Sequence, residues 1–314
     1  MSECPQVVNN LYLSVLSVSY AFNYKDKYMF TSDTLADQTI LITGGGSGLG
    51  LAMAKKFSSL GSNIAICGRT EEKLQKAVNE IEKAANDSSV KYYVADVRDY
   101  DRIKEMIGEI VSDFGGMTGL VNNAAGNFLS ASEDLSPGGF KAVVDIVLHG
   151  SFNCTHVFGN YLIDEKKKGN ILNMVTTYSE DTGSAFVLPS ACGKAGVLAM
   201  TRSLAYEWAT YDIRLNAIAP GPFPTKGAWE RLVPDESAEK KFLSKIPAGR
   251  YGDKEELANL ATLLMSDMAP YITGECVVID GGERLSAGQF NFIDKLGSRE
   301  ELKGFFKMMH KKGD

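Results

Sequence analysis

TGGGSGLG, residues 43 to 50, lies between the apolar run QTILI and the helical pattern LAMAKKFSSL, so a glycine-rich turn joins a strand to a helix. At such a junction the glycines let the backbone turn tightly and approach a pyrophosphate, while the free amides of the helix start offer it partial positive charge. Gly44, Gly48 and Gly50, with Leu49 between the last two, are the candidates for that contact. The spacing GxxxGxG departs from the GxGxxG fingerprint, and a glycine-rich turn alone is weak evidence; the strand before it and the helix after it carry the assignment. A turn that binds nothing is the competing reading.

Outward from this turn the chain alternates short β-branched runs with longer helical patterns, which signals a parallel sheet with crossover helices. The strand candidates are QTILIT, SNIAIC, KYYVAD, GLVNNA, GNILNMV, IRLNAIAP and ECVVIDGG. Helix candidates such as EKLQKAVNEIEKAAN, DRIKEMIGEIVSDF, KAGVLAMTRSLAYEWATY and EELANLATLLMS repeat apolar residues at three and four. Seven strands and about six helices predict an α/β fold: a single doubly wound Rossmann-type domain whose parallel seven-stranded sheet is flanked by helices. That domain is expected over residues 24–290, with an accessory extension at 1–23 and a tail at 291–314. Residues 221–252, rich in proline and charge, interrupt the alternation and read as a substrate-facing lid.

The 314 residues are 44% hydrophobic and 23% charged, ordinary material for one sizeable core. A net charge of -6 tells against a nucleic-acid groove, which draws on concentrated Lys and Arg. Five scattered cysteines without a CxxC pair indicate neither a disulfide framework nor a metal site, and they suit a reducing cytoplasm. LYLSVLSVSYAF, residues 11 to 22, is too short to span a bilayer and has no basic residue before it, so residues 1–23 read as an accessory or poorly ordered extension, with a weak targeting signal as the alternative. The terminal KKGD is not a peroxisomal address.

The second strand selects the dinucleotide. NAD sites place an acid about 20 residues past the glycine turn, on the ribose 2′-hydroxyl. Here the strand ends in Cys67, Gly68 and Arg69. A guanidinium fork suits a phosphate, and no acid stands there to repel one, so NADPH is the expected cofactor. A solvated surface arginine is the alternative.

These landmarks, together with NNAAG at 122 to 126, Lys194 and PGP at 220 to 222, resemble the short-chain dehydrogenase/reductase family over roughly residues 38 to 283. The resemblance implies a homotetramer, Asp96 near the adenine, Asn122 beside the cofactor ribose, and Pro220 and Gly221 at the cofactor. Asp96 as a helix N-cap before RDYDRI remains open. Two positions depart from the family pattern: Ser190 stands where most members carry a tyrosine, four residues before Lys194, and Val147 where most carry an asparagine.

A narrower branch accounts for the first departure. NNAAGNF, DIVL, TGS, PSA, KAGV and PGP followed by TKGA are similar to the 2,4-dienoyl-CoA reductases. In that branch a serine occupies the usual tyrosine position and the tyrosine lies upstream. Tyr178 is the only tyrosine in VTTYSEDTGSAFVLPSACGK and takes that role, although the spacing leaves Ser179 as the other candidate.

The resemblance implies an acyl-CoA thioester substrate, with hydride from NADPH adding to the far end of the conjugated chain. Asn127 and the Tyr178 hydroxyl would hold the thioester oxygen as charge builds there, Lys194 would bind the nicotinamide ribose, and Ser190 would orient cofactor or substrate. Carbon protonation is left between water and the tyrosine. His149, His156 and His310 lack metal spacing and read as solvent-facing or packing residues. Phe223, Trp229 and Phe242 either line an acyl tunnel or pack the lid, and KKFLSK at 240 to 245 and the KMMHKKGD tail read as solvated charge unless they meet CoA phosphates. Two other functions compete: a carbonyl or alcohol oxidoreductase, against which the serine at 190 tells, and a catalytically silent NADP-binding protein.

Overall fold

The computed structural model describes residues 29–180, 182–225 and 235–311; the extension 1–23 and Trp229 lie outside them. The chain divides into Met1–Thr31 and Ser32–Asp314, and the second unit contains the whole sheet. All seven predicted strands form: β1 (Thr39–Thr43), β2 (Asn63–Gly68), β3 (Val90–Val94), β4 (Gly119–Asn122), β5 (Gly169–Met174), β6 (Ile213–Pro220) and β7 (Cys276–Ile279). They pair in parallel in the order β3-β2-β1-β4-β5-β6-β7. The order reverses between β1 and β4, and in open parallel sheets the crevice beyond the strand ends at such a switch point receives the ligand. Every residue of β1 and β5 is buried, as expected of central strands covered by helices on both faces.

The crossover helices follow their patterns. In α1 (Gly48–Ser59) Met53, Ala54 and Phe57 are buried, and in α2 (Glu71–Glu82) Leu74, Ala77 and Ile81. In α3 (Tyr100–Phe114) the carboxylate of Asp99 accepts the Arg102 N–H at 3.0 Å and Gly115 takes the left-handed conformation at φ 76°, so both ends are capped. Asp99, not Asp96, is therefore the helix cap.

Between β4 and β5, where the periodicity singled out no helix, the chain forms α4 (Pro137–Val144), a π turn (Asp145–His149) and α5 (Gly150–Asp164) without a break. Periodicity is diluted there because α5 buries small and polar residues, among them Gly150, Ser151, Asn153, Thr155 and Gly159, beside the apolar Cys154, Val157, Phe158 and Leu162. A Cβ at Gly159 would lie 2.3 Å from the Trp208 ring, so the small residue sets how closely α5 meets α6.

Helix α6 runs Leu188–Trp208. The sequence pattern placed its start at KAGV; Pro189 in the first turn moves it forward, so Lys194 sits in the second turn and not at the N-terminus. Of the lid, α7 (Glu236–Leu243) is described, and residues 226–234 lie outside the described residues. The lid ends at Gly252, whose N–H donates to the Pro222 carbonyl at 3.1 Å, and then α8 (Lys254–Met265) begins behind a capping box of Asp253 and Glu256. The tail is helical, with a short turn at Asn291–Lys295 and α9 (Arg299–Lys311), and belongs to the same unit as the sheet.

Candidate active site

Beyond the ends of β1, β2 and β4 lies a cleft of about 450 Å³. Five of the expected cofactor residues line it: Gly44, Leu49, Arg69, Asp96 and Gly221. Gly44 is required twice over, because φ is +65° and a Cβ would stand 3.1 Å from Ala124 Cα. Gly48 opens α1 at φ +60°. Gly50 serves packing, since a Cβ there would come within 2.5 Å of Asn123 Nδ2 and 2.7 Å of the Gly44 carbonyl.

The Thr43 hydroxyl accepts the N–H groups of Asn123 at 3.0 Å and Ala124 at 2.9 Å, which pins the β4 loop to the glycine turn. Asn122, expected beside the cofactor ribose, keeps its side chain below the cleft: its amide donates to Thr155 Oγ1 and Asn173 Oδ1, both at 2.8 Å. Asn173 donates in turn to Thr201 Oγ1 at 2.8 Å. The side chain that lines the cleft is that of the next residue, Asn123. Two adjacent asparagines offer no sequence signal to separate them.

Arg69 is exposed at the end of β2 and makes no ion pair within 4 Å among the described residues. Lys73, one turn into α2, lines the same cleft and was not singled out by sequence. Two cations without acids of their own make this end of the cleft a place for an anion. Asp96 does not cancel them, because Arg98 engages it through Nε at 3.0 Å and Nη2 at 2.5 Å. Those hydrogen bonds hold the Asp96 carboxyl below the ordinary range. Pro220 closes β6 just before Gly221, whose Cβ would lie 2.6 Å from Asp280 Cβ.

The second group of candidates gathers where β5 meets α6. Tyr178 lies on the turn Thr177–Ser179, and its hydroxyl is 3.3 Å from Ser190 Oγ. Ser179 is buried, and its hydroxyl is used on Thr176, accepting that residue's N–H at 3.0 Å and donating to its carbonyl. Of the two candidates for the register, Tyr178 is the one that faces Ser190.

Lys194, one turn beyond Ser190, is buried and donates from Nζ to the Met174 carbonyl at the end of β5. Burial pushes its ammonium down to about 8. Asn127 is half-buried in the loop after β4; its Oδ1 accepts the Phe128 N–H at 2.9 Å, and its amide nitrogen donates to no group among the described residues. No hydrogen bond joins Asn127 to Tyr178 or Ser190 among the described residues. Val147, where the family pattern has asparagine, is fully buried in the π turn, and Gly193 of α6 packs on it where a Cβ would be 3.0 Å from Val147 Cγ1.

Glu283 is a further group that no sequence signal marked. It is half-buried, and burial and then Asp280 raise its carboxyl, a rise that Lys245 and the nearby Thr177 side chain oppose. Phe223 lines the cleft, while Phe242 lies against Tyr251 at 6.3 Å between ring centroids. His149 pairs with Asp145 at 3.0 Å and His156 meets the Tyr100 hydroxyl at 2.8 Å. Among the described residues no cluster of His, Cys, Asp or Glu is able to hold a metal ion, and no helix is long and apolar enough to cross a membrane.

Known proteins resemble this chain in sequence and in fold. The family model described as Enoyl-(Acyl carrier protein) reductase matches residues 44–283. The chain is 44% identical, over 81% of its length and 99% of the relative's, to a probable 2,4-dienoyl-CoA reductase [(2E)-enoyl-CoA-producing] of Bacillus subtilis strain 168. A crystal structure of a short chain dehydrogenase from Bacillus anthracis is 45% identical at a TM-score of 0.72, covering 79% of this chain and 97% of that one. A gluconate 5-dehydrogenase from Burkholderia cenocepacia, solved in complex with NADP and tartrate, is 28% identical at a TM-score of 0.74, covering 80% and 97%.

Proposed function

This chain belongs to the short-chain dehydrogenase/reductase family, and on that footing we propose that it reduces a 2,4-dienoyl-CoA thioester to an enoyl-CoA with NADPH, an auxiliary step of fatty acid β-oxidation. The observation that carries this reading is the Tyr178 hydroxyl 3.3 Å from Ser190, one turn from buried Lys194: the proton-bearing oxygen survives, but it comes from the turn after β5 instead of from α6. The 2,4-dienoyl-CoA reductase relative supports the substrate. Arg69 and Lys73 support the 2′-phosphate of NADPH, and the solved relative that holds NADP has the same fold.

The residues fit the cofactor. The positive φ of Gly44 and the Cβ-free approach to Ala124 form a cradle that a side chain would fill, and α1 starts there with free amides. NADPH, when bound, supplies a hydride. Lys194 would hold its ribose and keep a positive charge near the Tyr178 hydroxyl. As charge builds on the thioester oxygen, Tyr178 donates a hydrogen bond from one side and the free amide of Asn127 from the other; donors at such a site contribute about 3 to 4 kcal/mol each to the transition state. Ser190 fixes the direction of the tyrosine hydroxyl. Gly48, Gly50 and Pro220 act through the backbone that shapes the cleft, and Asn122 through the buried ladder beneath it. The four described cysteines are free, which supports a reducing cytoplasmic setting, and the family resemblance supports a homotetramer.

NADPH oxidation followed in parallel with a dienoyl-CoA, a simple enoyl-CoA and a ketone tests the reading. Turnover is expected with the dienoyl-CoA alone. Turnover of the ketone would replace it with a carbonyl oxidoreductase, and tight NADPH binding without turnover of any of the three would leave a cofactor-binding protein.

A further inference from the structure

Residues 285–309 lie beyond the family match, and they are unusually apolar at the surface: Leu285, Phe292, Leu296, Phe305, Met308 and Met309 are each more than half exposed. Leu302 of α9 is buried, and Phe306 shares a groove with Leu302 and Phe290, so α9 rests on the body by one edge and presents Phe305, Met308 and Met309 outward. A soluble surface does not ordinarily concentrate large apolar side chains in this way.

Three features of α9 identify what covers it. Its charge is split along its length: Arg299 is paired with Asp294, which leaves Glu300 and Glu301 as an acidic first turn, while Lys303, Lys307 and Lys311 make the rest basic. Glu300 and Lys307 form no ion pair within the chain among the described residues. Its midpoint falls at Gly304 and Phe305; Gly304 is a poor helix former, by about 1 kcal/mol against Ala, and a Cβ there would meet nothing within 4 Å. A helix that is acidic at one end, basic at the other and open at its centre is complementary to itself when turned end for end.

We propose that α9, with the apolar turns before it, forms an isologous interface with a second copy of this chain, the two helices antiparallel across a two-fold axis beside Gly304 and Phe305. Phe305 and Met308 then pack on their symmetry mates, the acidic turn of each helix faces Lys307 of the other, and the opposed helix dipoles attract. The bare backbone at Gly304 lets the axes approach closely. This interface is independent of the reaction assigned above.

Light scattering after size-exclusion chromatography of the full chain, at micromolar concentration, tests it. Phe305→Glu/Met308→Glu is expected to lower the particle mass by about a factor of two, because charges at the centre of an apolar interface break it. Its circular dichroism and its NADPH affinity should stay at the parent's values. Glu300→Lys and Lys307→Glu should each weaken self-association alone and restore it together, a reading that holds even where the double glutamate variant folds poorly. A native chain that is monomeric overturns the proposal. So does an unchanged mass in the apolar variant, including the case in which that variant instead loses co-sedimentation with phosphatidylglycerol vesicles, and so does a charge swap without rescue.

Discussion

At the scale of single residues, the proposed reaction rests on Tyr178, whose hydroxyl stands 3.3 Å from Ser190 Oγ. The turn Thr177–Ser179 can deliver that oxygen because Ser179 ties the turn closed through Thr176, leaving Tyr178 to point across to α6. Tyr178→Phe is expected to lower kcat on a dienoyl-CoA by roughly 100-fold or more, with the NADPH dissociation constant unchanged. Ser179→Ala should lower Tm, by about 1 kcal/mol of lost capping, and keep kcat within a few-fold of the parent; the opposite pattern would move the site to Ser179. Lys194 carries a sign of its own. Its burial costs stability wherever it is charged, so the cost is full below about 8 and is relieved as pH rises from about 8 toward the ordinary 10.5, where the unfolded chain binds the extra proton. Lys194→Met should therefore raise Tm at pH 7, and that gain should shrink as pH climbs through this window. NADPH affinity, read by fluorescence titration, should fall above about pH 8 in the parent and show no such fall in the variant.

At the scale of elements, α6 carries Ser190 and Lys194, and residues 221–252 adjoin the cleft through Phe223. Because α6 starts at Leu188, Ser190 and Lys194 stand one turn apart on its buried side and face the turn after β5 and the end of that strand. The lid returns to the body through Phe223, over whose ring Gly252 closes so tightly that a Cβ would lie 2.3 Å from Phe223 Cε1. Phe223 also lines the cofactor cleft. Gly252→Ala should push the ring into the cleft and raise KM for NADPH several-fold while leaving the far-ultraviolet spectrum intact. An unchanged KM would show that the lid tolerates the shift. The continuous helix from Pro137 to Asp164 teaches the reverse lesson about legibility: its apolar stripe of Val143, Val147, Cys154, Val157, Phe158 and Leu162 is interleaved with buried small and polar residues, which dilutes the period for a sequence reading.

At the scale of the whole molecule, the order of the sheet brings the ends of β1, β2 and β4 together and makes a cleft with cations at one end. Ligand that binds only the folded chain stabilises it by about 2.7 kcal/mol at 100 times its dissociation constant. NADPH should therefore raise Tm more than an equal concentration of NADH does, and Arg69→Ala should narrow that difference; equal shifts from both cofactors would remove Arg69 from the phosphate site. The seven strands, their parallel sense and the glycine turn were legible in the sequence, because they follow from periodicity, from the alternation of strand with helix and from backbone freedom; the order of the strands in the sheet came from the tertiary structure. Arg69 was legible too, since strand and helix fix its place at the tip of β2. Tertiary structure alone decided that Tyr178 and not Ser179 faces Ser190, that Asn123 and not Asn122 lines the cleft, and that Glu283 lies beside Thr177. Asn122 and Asn123 are directed by partners 33 to 80 residues away, and Tyr178 meets Ser190 only because the turn after β5 is folded against α6, so a local pattern contains no record of which group arrives.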